Sequence, residues 1–115
     1  MDNPAVSAVI PVYNEQENLE ELNERMVRAL EGMGRSWEIV YVDDGSADRS
    51  VEMLRAFSAR ESRIRVVEFT RNYGQHSAVF AGLAESRGDR VVTLDADLQN
   101  PPEEIPKVVA KMDEG

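Results

Sequence analysis

The sequence predicts an α/β domain: a mainly parallel sheet in βαβαβαβα order with helices on both faces. Three observations carry that expectation. Four short apolar runs rich in β-branched residues alternate with segments of helical periodicity. The runs are nearly continuous rather than alternating, as in strands covered on both sides. No hairpin turn joins consecutive runs, so each connection is read as a crossover that leaves the strands parallel.

The first strand is expected over Val6 to Val12. Asn14, with Glu17 three positions on, reads as the N-cap of a first helix. Leu19, Leu22, Met26, Val27, Leu30 and Met33 form its apolar stripe, and Gly32 and Gly34 end it. Trp37 to Val42 reads as the second strand. It stops at Asp43-Asp44-Gly45-Ser46, where Ser46 is expected to cap a helix carrying Val51, Leu54 and Phe57. Ile64 to Phe69 is the third strand, Arg71-Asn72-Tyr73-Gly74 a loop, and Gln75 to Ser86 a small-residue helix closed by Gly88. Arg90 to Leu94 is the fourth strand. The last helix holds Ile105, Val108, Val109 and Met112, with Pro106 in an irregular first turn or as the first helical residue. Arg55, Arg60, Arg63, Arg65 and Arg71 read as a solvated face interleaved with Glu61 and Glu68.

Residues 1–115 are expected to form a single domain. Apolar residues at 42% are too many for a disordered tail. Acidic residues number 22 against 13 basic ones, a formal charge of −9, which argues against a sequence-independent grip on nucleic acid or anionic lipid. No cysteine is present, which excludes disulfides, zinc-thiolate sites and a Cys nucleophile; His76 is the single histidine. No apolar run approaches the ~20 residues of a membrane span, and the start of the chain lacks the features of a secretory signal. The composition reads as that of a cytosolic protein.

In open parallel sheets, ligands bind beyond the C-terminal ends of the strands. Those ends carry Tyr13-Asn14-Glu15, Asp43-Asp44, Asn72-Tyr73-Gly74 and Asp95-Ala96-Asp97. Four aspartates on one rim repel unless some protonate or a cation is shared. Asp95 and Asp97 are two apart, so extended geometry would turn both carboxylates to one side, within reach of one Mg²⁺ or Mn²⁺. Gln99, again two on, could add an oxygen or orient a ligated water. Asp43 could accept from a base N–H or a ribose hydroxyl. Each feature has a plainer alternative: Asp97 to Pro102 as a turn before a helix, Gly45 and Ser46 as a turn and cap, Tyr13 as rim packing rather than a base-stacking ring, His76 as a surface residue rather than an anion ligand.

Taken in order, Ile10-Pro11-Val12-Tyr13-Asn14-Glu15, Asp43-Asp44-Gly45-Ser46, Arg71-Asn72-Tyr73-Gly74 and Asp95-Ala96-Asp97 resemble the N-terminal half of the family 2 inverting glycosyltransferases, which have the nucleotide-diphospho-sugar transferase (GT-A) fold. A lone D-x-D is a weak signal; the ordered set is specific. The stretch from Asp95 to Pro106 is similar to the polyprenyl-phosphate branch of that family. The run from Arg71 to Ala78 resembles, more narrowly, the undecaprenyl-phosphate 4-deoxy-4-formamido-L-arabinose transferases of lipid A modification and polymyxin resistance.

The resemblance implies roles at matching positions. Pro11, Tyr13, Glu15 and Asp43 would line the base and ribose pocket, with Asp44 nearby. Asp95, Asp97 and Gln99 would hold Mg²⁺ or Mn²⁺ on the donor diphosphate, which makes Asp95 and Asp97 the expected catalytic pair and puts Asp95 against the nucleotide sugar as well. Asn72 and Gly74 would shape the loop under the donor. The implied reaction moves a sugar from a nucleotide-diphospho-sugar, a UDP-sugar such as UDP-4-deoxy-4-formamido-L-arabinose, to a polyprenyl phosphate. Because the match covers only the family's first half, the chain is expected to be the donor- and metal-binding portion of a truncated catalytic domain, with little transferase activity alone. The acceptor side and the helices that would hold the full-length enzyme to the cytoplasmic side of the inner membrane are expected in a missing C-terminal part. Nucleic acid is not an expected partner; self-association through an open sheet edge is.

Competing classes fit less well. A dinucleotide-binding oxidoreductase would need a Gly-rich turn after the first strand, and Pro11-Val12-Tyr13-Asn14 offers none. A sugar-nucleotide pyrophosphorylase would need a Gly-rich, basic first loop. A phospho-receiver domain would need its acidic pair after the first strand, whereas Asp43-Asp44 follows the second and the lysines are Lys107 and Lys111. An inactive nucleotide-binding module is the remaining alternative.

Overall fold

The computed structural model describes residues 3–114, so the reading of the first residues as a non-secretory start lies partly outside it, at Met1 and Asp2. The strands are β1 (Val6–Val12), β2 (Trp37–Asp43), β3 (Ile64–Glu68) and β4 (Arg90–Thr93). The helices are α1 (Leu19–Glu31), α2 (Ser50–Arg60), α3 (Gln75–Glu85) and α4 (Ile105–Asp113), the last preceded by a 3-10 turn at Pro102–Glu104. The strands pair in the order β3-β2-β1-β4, all in parallel. This is the α/β architecture that the sequence predicts, a parallel sheet in βαβαβαβα order with helices on both faces.

Strand alternation divides the core into two layers. Val6, Ala8, Ile10 and Val12 of β1, with Trp37, Ile39 and Tyr41 of β2, face α1, α2 and α4. Val9, Val40 and Val42 face the other way, against Ala78 of α3. The division follows from one hand of crossover. The chain steps from β1 through β2 to β3, then returns past both to β4, so a right-handed connection must carry α3 over the opposite face. The small residues of α3 permit close contact: a Cβ on Gly82 would stand 2.3 Å from Val9 Cγ1.

Several local expectations are corrected. Asn14 does not cap α1, which starts at Leu19; Asn14 has φ 52° and its Oδ1 accepts from the Ala47 N–H at 2.8 Å. Ser46 does not cap α2, which starts at Ser50; its Oγ accepts from the Asn14 N–H at 2.9 Å. β3 and β4 each end one residue early, at Glu68 and Thr93. Val108 is exposed rather than part of the apolar face of α4, which buries Ile105 and Val109. Pro106 sits in the first turn of α4, where a missing N–H costs no helical bond.

Arg55, Arg60 and Arg71 are exposed, as the solvated-face reading expects, but Arg65 is drawn inward. Arg55 pairs with Glu68, Arg63 with Glu31 and Glu61, and Arg65 with the buried Glu38. Glu38 is only 2% exposed and sits opposite Ser7, near the N-terminal ends of the strands. Its carboxylate accepts from Ser7 Oγ at 2.6 Å, the Arg87 N–H at 2.7 Å and the Arg65 guanidinium at 3.2 Å. Burial pushes this carboxyl up, but the Ser7 and Arg87 hydrogen bonds and the Arg65 charge outweigh it and hold it below the usual carboxylate range. The stability that ionised Glu38 supplies is therefore complete above its unfolded value, roughly 4.3, and is lost as pH falls through the lower folded value. Glu38→Gln turns an amide NH₂ toward these donors and is expected to cost about 2–3 kcal/mol at pH 7. It should also remove this group's share of the acid destabilisation. Urea unfolding across pH checks both; an unchanged acid slope would contradict the assignment.

Among the described residues, β3 and β4 are edge strands paired on one side only. A groove of about 440 Å³ beside β4 is lined in part by Val92, Leu94, Pro101, Ile105 and Val108. Among the described residues, no helix is long and apolar enough to cross a membrane.

Candidate functional site

A cleft of about 170 Å³ opens beyond the C-terminal ends of β1 and β4. Between these two neighbours the strand order reverses, which makes the switch point at which open α/β sheets bind ligands. From β1 and the turn after it come Pro11, Val12, Tyr13 and Glu15; the turn after β2 contributes Asp44, α3 contributes Gln75, and the segment after β4 contributes Asp95, Ala96 and Asp97. The volume is below the roughly 300 Å³ of a complete small-molecule pocket, so a nucleotide sugar would stand partly outside it.

Two rim loops some thirty residues apart in sequence are stapled together by side chains. The Glu15 N–H donates to Ser50 Oγ at 2.9 Å, the Gln16 N–H to Asp48 Oδ2 at 3.2 Å, and the Arg49 N–H to Gln16 Oε1 at 2.9 Å. The Asn14 and Ser46 contacts complete the set. Glu15 also accepts from Asn18 Nδ2 at 2.8 Å, which orients its carboxylate on the cleft wall. Tyr13 lines the cleft and is 48% exposed.

The two adjacent aspartates at the end of β2 do different things. Asp44 is buried and its carboxylate is filled by its own chain: the Tyr73 N–H donates at 2.7 Å, the Gly74 N–H at 3.1 Å and Asn72 Nδ2 at 3.1 Å. It clamps the loop that leads into α3. Asp43 is 3% exposed and accepts from the Ser46 N–H at 3.2 Å through Oδ2, while Oδ1 is buried without a partner. An unpartnered buried acceptor is costly, and a donor from a bound molecule would relieve it. Gly45 follows with φ +70°, and the chain there passes so close to residue 71 that a Cβ would lie 2.2 Å from the Arg71 carbonyl carbon.

The four aspartates at the strand ends do not all gather at one point on the rim. β2 and β4 lie on either side of β1, about 10 Å apart, and the Asp44 carboxylate is already occupied. Among the described residues, no group of three or more acidic or histidine side chains converges on one ion position. Asp95 and Asp97 do line the cleft together. The reason differs from the expected pleat: β4 stops at Thr93, and a turn with buried Ala96 and with Leu98 at φ 65° sets the two side chains. Asp97 Oδ1 accepts from the Gln99 N–H at 3.1 Å, and the Gln99 side chain is exposed outside the cleft lining. Two hard carboxylates with open water access fit a Mg²⁺ or Mn²⁺ ion, which keeps waters and takes further oxygens from a phosphate ligand.

Sequence reasoning missed Gln75, whose Nε2 donates to Asp95 Oδ1 at 3.0 Å. Its signal was its position, directly after the Gly74 turn and first in α3. His76, next to it, is exposed.

The family model described as glycosyl transferase family 2 matches residues 7–115. The undecaprenyl-phosphate 4-deoxy-4-formamido-L-arabinose transferase of Edwardsiella ictaluri is 59% identical over 111 residues, 96% of this chain and 34% of that protein. A mannosyltransferase from Pyrobaculum calidifontis, solved with GDP-Man and Mn²⁺, superposes with a TM-score of 0.76 at 25% identity, over 95% of this chain and 32% of that one. The glucosyl-3-phosphoglycerate synthase of Mycobacterium tuberculosis, solved with UDP, gives 0.75 at 27% identity, over 97% of this chain and 41% of that one. The chain thus spans about a third of the length of the curated relatives it matches. The match over nearly the whole chain leaves the phospho-receiver reading without support.

Proposed function

The chain belongs to glycosyl transferase family 2, and on that premise we propose that it is the donor-binding portion of a metal-dependent inverting transferase that moves a sugar from a nucleoside diphosphate to a polyprenyl phosphate. The observation that carries the proposal is the juxtaposition of Asp95 and Asp97 with Pro11, Tyr13 and Glu15 along one cleft at the sheet's switch point. The named relative supports a 4-deoxy-4-formamido-L-arabinose donor and an undecaprenyl-phosphate acceptor. On that assignment the protein would act in lipid A modification and polymyxin resistance.

In this reading Asp95 and Asp97 hold Mg²⁺ or Mn²⁺, and Gln99 can join them by a side-chain rotation. The cation, when bound, offsets the negative charge that gathers on the diphosphate as the sugar leaves. Tyr13 offers its exposed ring to the base, and Pro11 and Glu15 wall the nucleoside side. Asp43 Oδ1, unpartnered but buried outside the cleft lining, would accept from a base N–H or a ribose hydroxyl that reached behind the rim. Asp44 fixes Asn72 and Gly74 beneath the donor. A lipid monophosphate is largely ionised near neutral pH, since its second pKa is about 6, so it needs orientation rather than a general base. Single displacement by that phosphate inverts the anomeric carbon.

The acceptor site would belong to the remaining two-thirds of the relatives' length. Its lipid would hold the reaction at a membrane surface, on the cytoplasmic side of the inner membrane. Pairing of two free β4 edges would give self-association, which sedimentation detects.

Calorimetry of the chain with UDP and with GDP, each with and without Mn²⁺, tests the proposal. UDP affinity should rise at least about tenfold with Mn²⁺, in line with the dependence of a diphosphate ligand on its cation. Binding that ignores the metal would contradict it, and a preference for GDP would overturn the UDP-sugar assignment.

A further inference from the structure

We infer that Gln75 is a positioning residue for the cation-holding pair, acting through Asp95. Its Nε2 donates to Asp95 Oδ1 at 3.0 Å. Among the described residues no side chain donates to Oδ2, so the amide decides which carboxylate oxygen is left for a cation. The amide is itself anchored. Gly74, directly before it, donates its N–H to Asp44 Oδ2 at 3.1 Å, and Tyr73 donates to Oδ1 at 2.7 Å. Asp44 follows β2 and Asp95 follows β4, with β1 between them. Residues 73–75 therefore form a strap across the cleft, held at one rim by a buried carboxylate and gripping the metal-side carboxylate at the other. Asp95 lies beyond the last residue of its strand, where a side chain without such a partner would sample several rotamers. Outer partners of this kind set the orientation of carboxylate ligands and hence metal affinity.

The inference rests on the proposed role of Asp95 and Asp97. Mn²⁺ is titrated calorimetrically into the UDP-saturated chain as wild type, Gln75→Met, Gln75→Ala and Asp95→Ala. UDP affinity in EDTA and thermal midpoints are measured alongside. Methionine keeps the length and packing of glutamine without its donor. Mn²⁺ affinity should fall about tenfold in both Gln75 variants, with the EDTA affinity and the midpoint unchanged. Wild-type Mn²⁺ affinity in Gln75→Met, with binding lost in Asp95→Ala, overturns the role of Gln75 and leaves the cation pair standing. A loss that tracks a lowered midpoint also overturns it. Wild-type affinity in Asp95→Ala removes the cation pair, and the inference falls with it.

Discussion

Asp97→Ala is expected to abolish the Mn²⁺-dependent part of UDP binding, lowering the affinity measured with Mn²⁺ by the whole of that enhancement, at least about tenfold, to the value seen in EDTA. The effect should be specific. Asp97 is exposed, and its hydrogen bond to the Gln99 N–H is local, so unfolding free energy should change by less than about 1 kcal/mol. UDP affinity in EDTA should stay near wild type, because the nucleoside side of the cleft is built from other loops. Two carboxylates are few for a divalent ion, so neither can be spared: the remaining aspartate would leave water and diphosphate oxygens to hold the cation. Calorimetry on the folded variant measures all three quantities. Wild-type affinity with Mn²⁺ would show that Asp97 is only a turn residue.

Gly45→Ala is expected to be the most destabilising single methyl addition at the rim. Its Cβ would meet backbone rather than a flexible side chain, at 2.2 Å from the Arg71 carbonyl carbon and 2.5 Å from the Asn72 nitrogen. The φ of +70° adds a left-handed penalty of about 1 kcal/mol or more. Together with displacement of the loop, the cost should be on the order of 3 kcal/mol, a large fraction of the 5–15 kcal/mol that holds an ordinary domain together. The damage should also reach the cleft. Residues 71–74 cannot keep their place on Asp44 if the chain at Arg71 moves, and Gln75 follows them. Urea unfolding measures the first effect and Mn²⁺ titration the second. A loss below about 1 kcal/mol would mean that the loop yields more easily than its three bonds to Asp44 imply.

What was legible in the sequence is what depends on pattern. The β-branched runs gave the strands and their parallel order, because burial on both faces leaves a continuous apolar run. The clustering of Asp95 and Asp97 with Tyr13 and Glu15 followed from topology, since parallel strands deliver their C-terminal ends to one rim. What failed depends on partners distant in sequence. Asn14 and Ser46 carry cap chemistry, but each side chain serves the other's loop, about thirty residues away. An amide oxygen or hydroxyl near a helix start takes whichever N–H the tertiary fold presents. Nothing local to the Trp37–Val42 run accounts for a carboxylate at position 38; its burial is tolerated because Arg65 and Arg87 arrive from 27 and 49 residues downstream. Gln75 lies within the Arg71–Ala78 run, but only the meeting of α3 with the segment after β4 gives it a partner. The union of Asp95 and Asp97 was expected from the pleat and arises from a turn, because β4 ends before either residue.

Anomalous diffraction from crystals of this chain grown with MnCl₂ and UDP bears most directly on the central claim. The account predicts a manganese peak within coordinating distance of both the Asp95 and Asp97 carboxylates, joined to the diphosphate, with the base beside Tyr13. Ordered UDP with no manganese at that pair, or manganese bound elsewhere while the two side chains point apart, would contradict it.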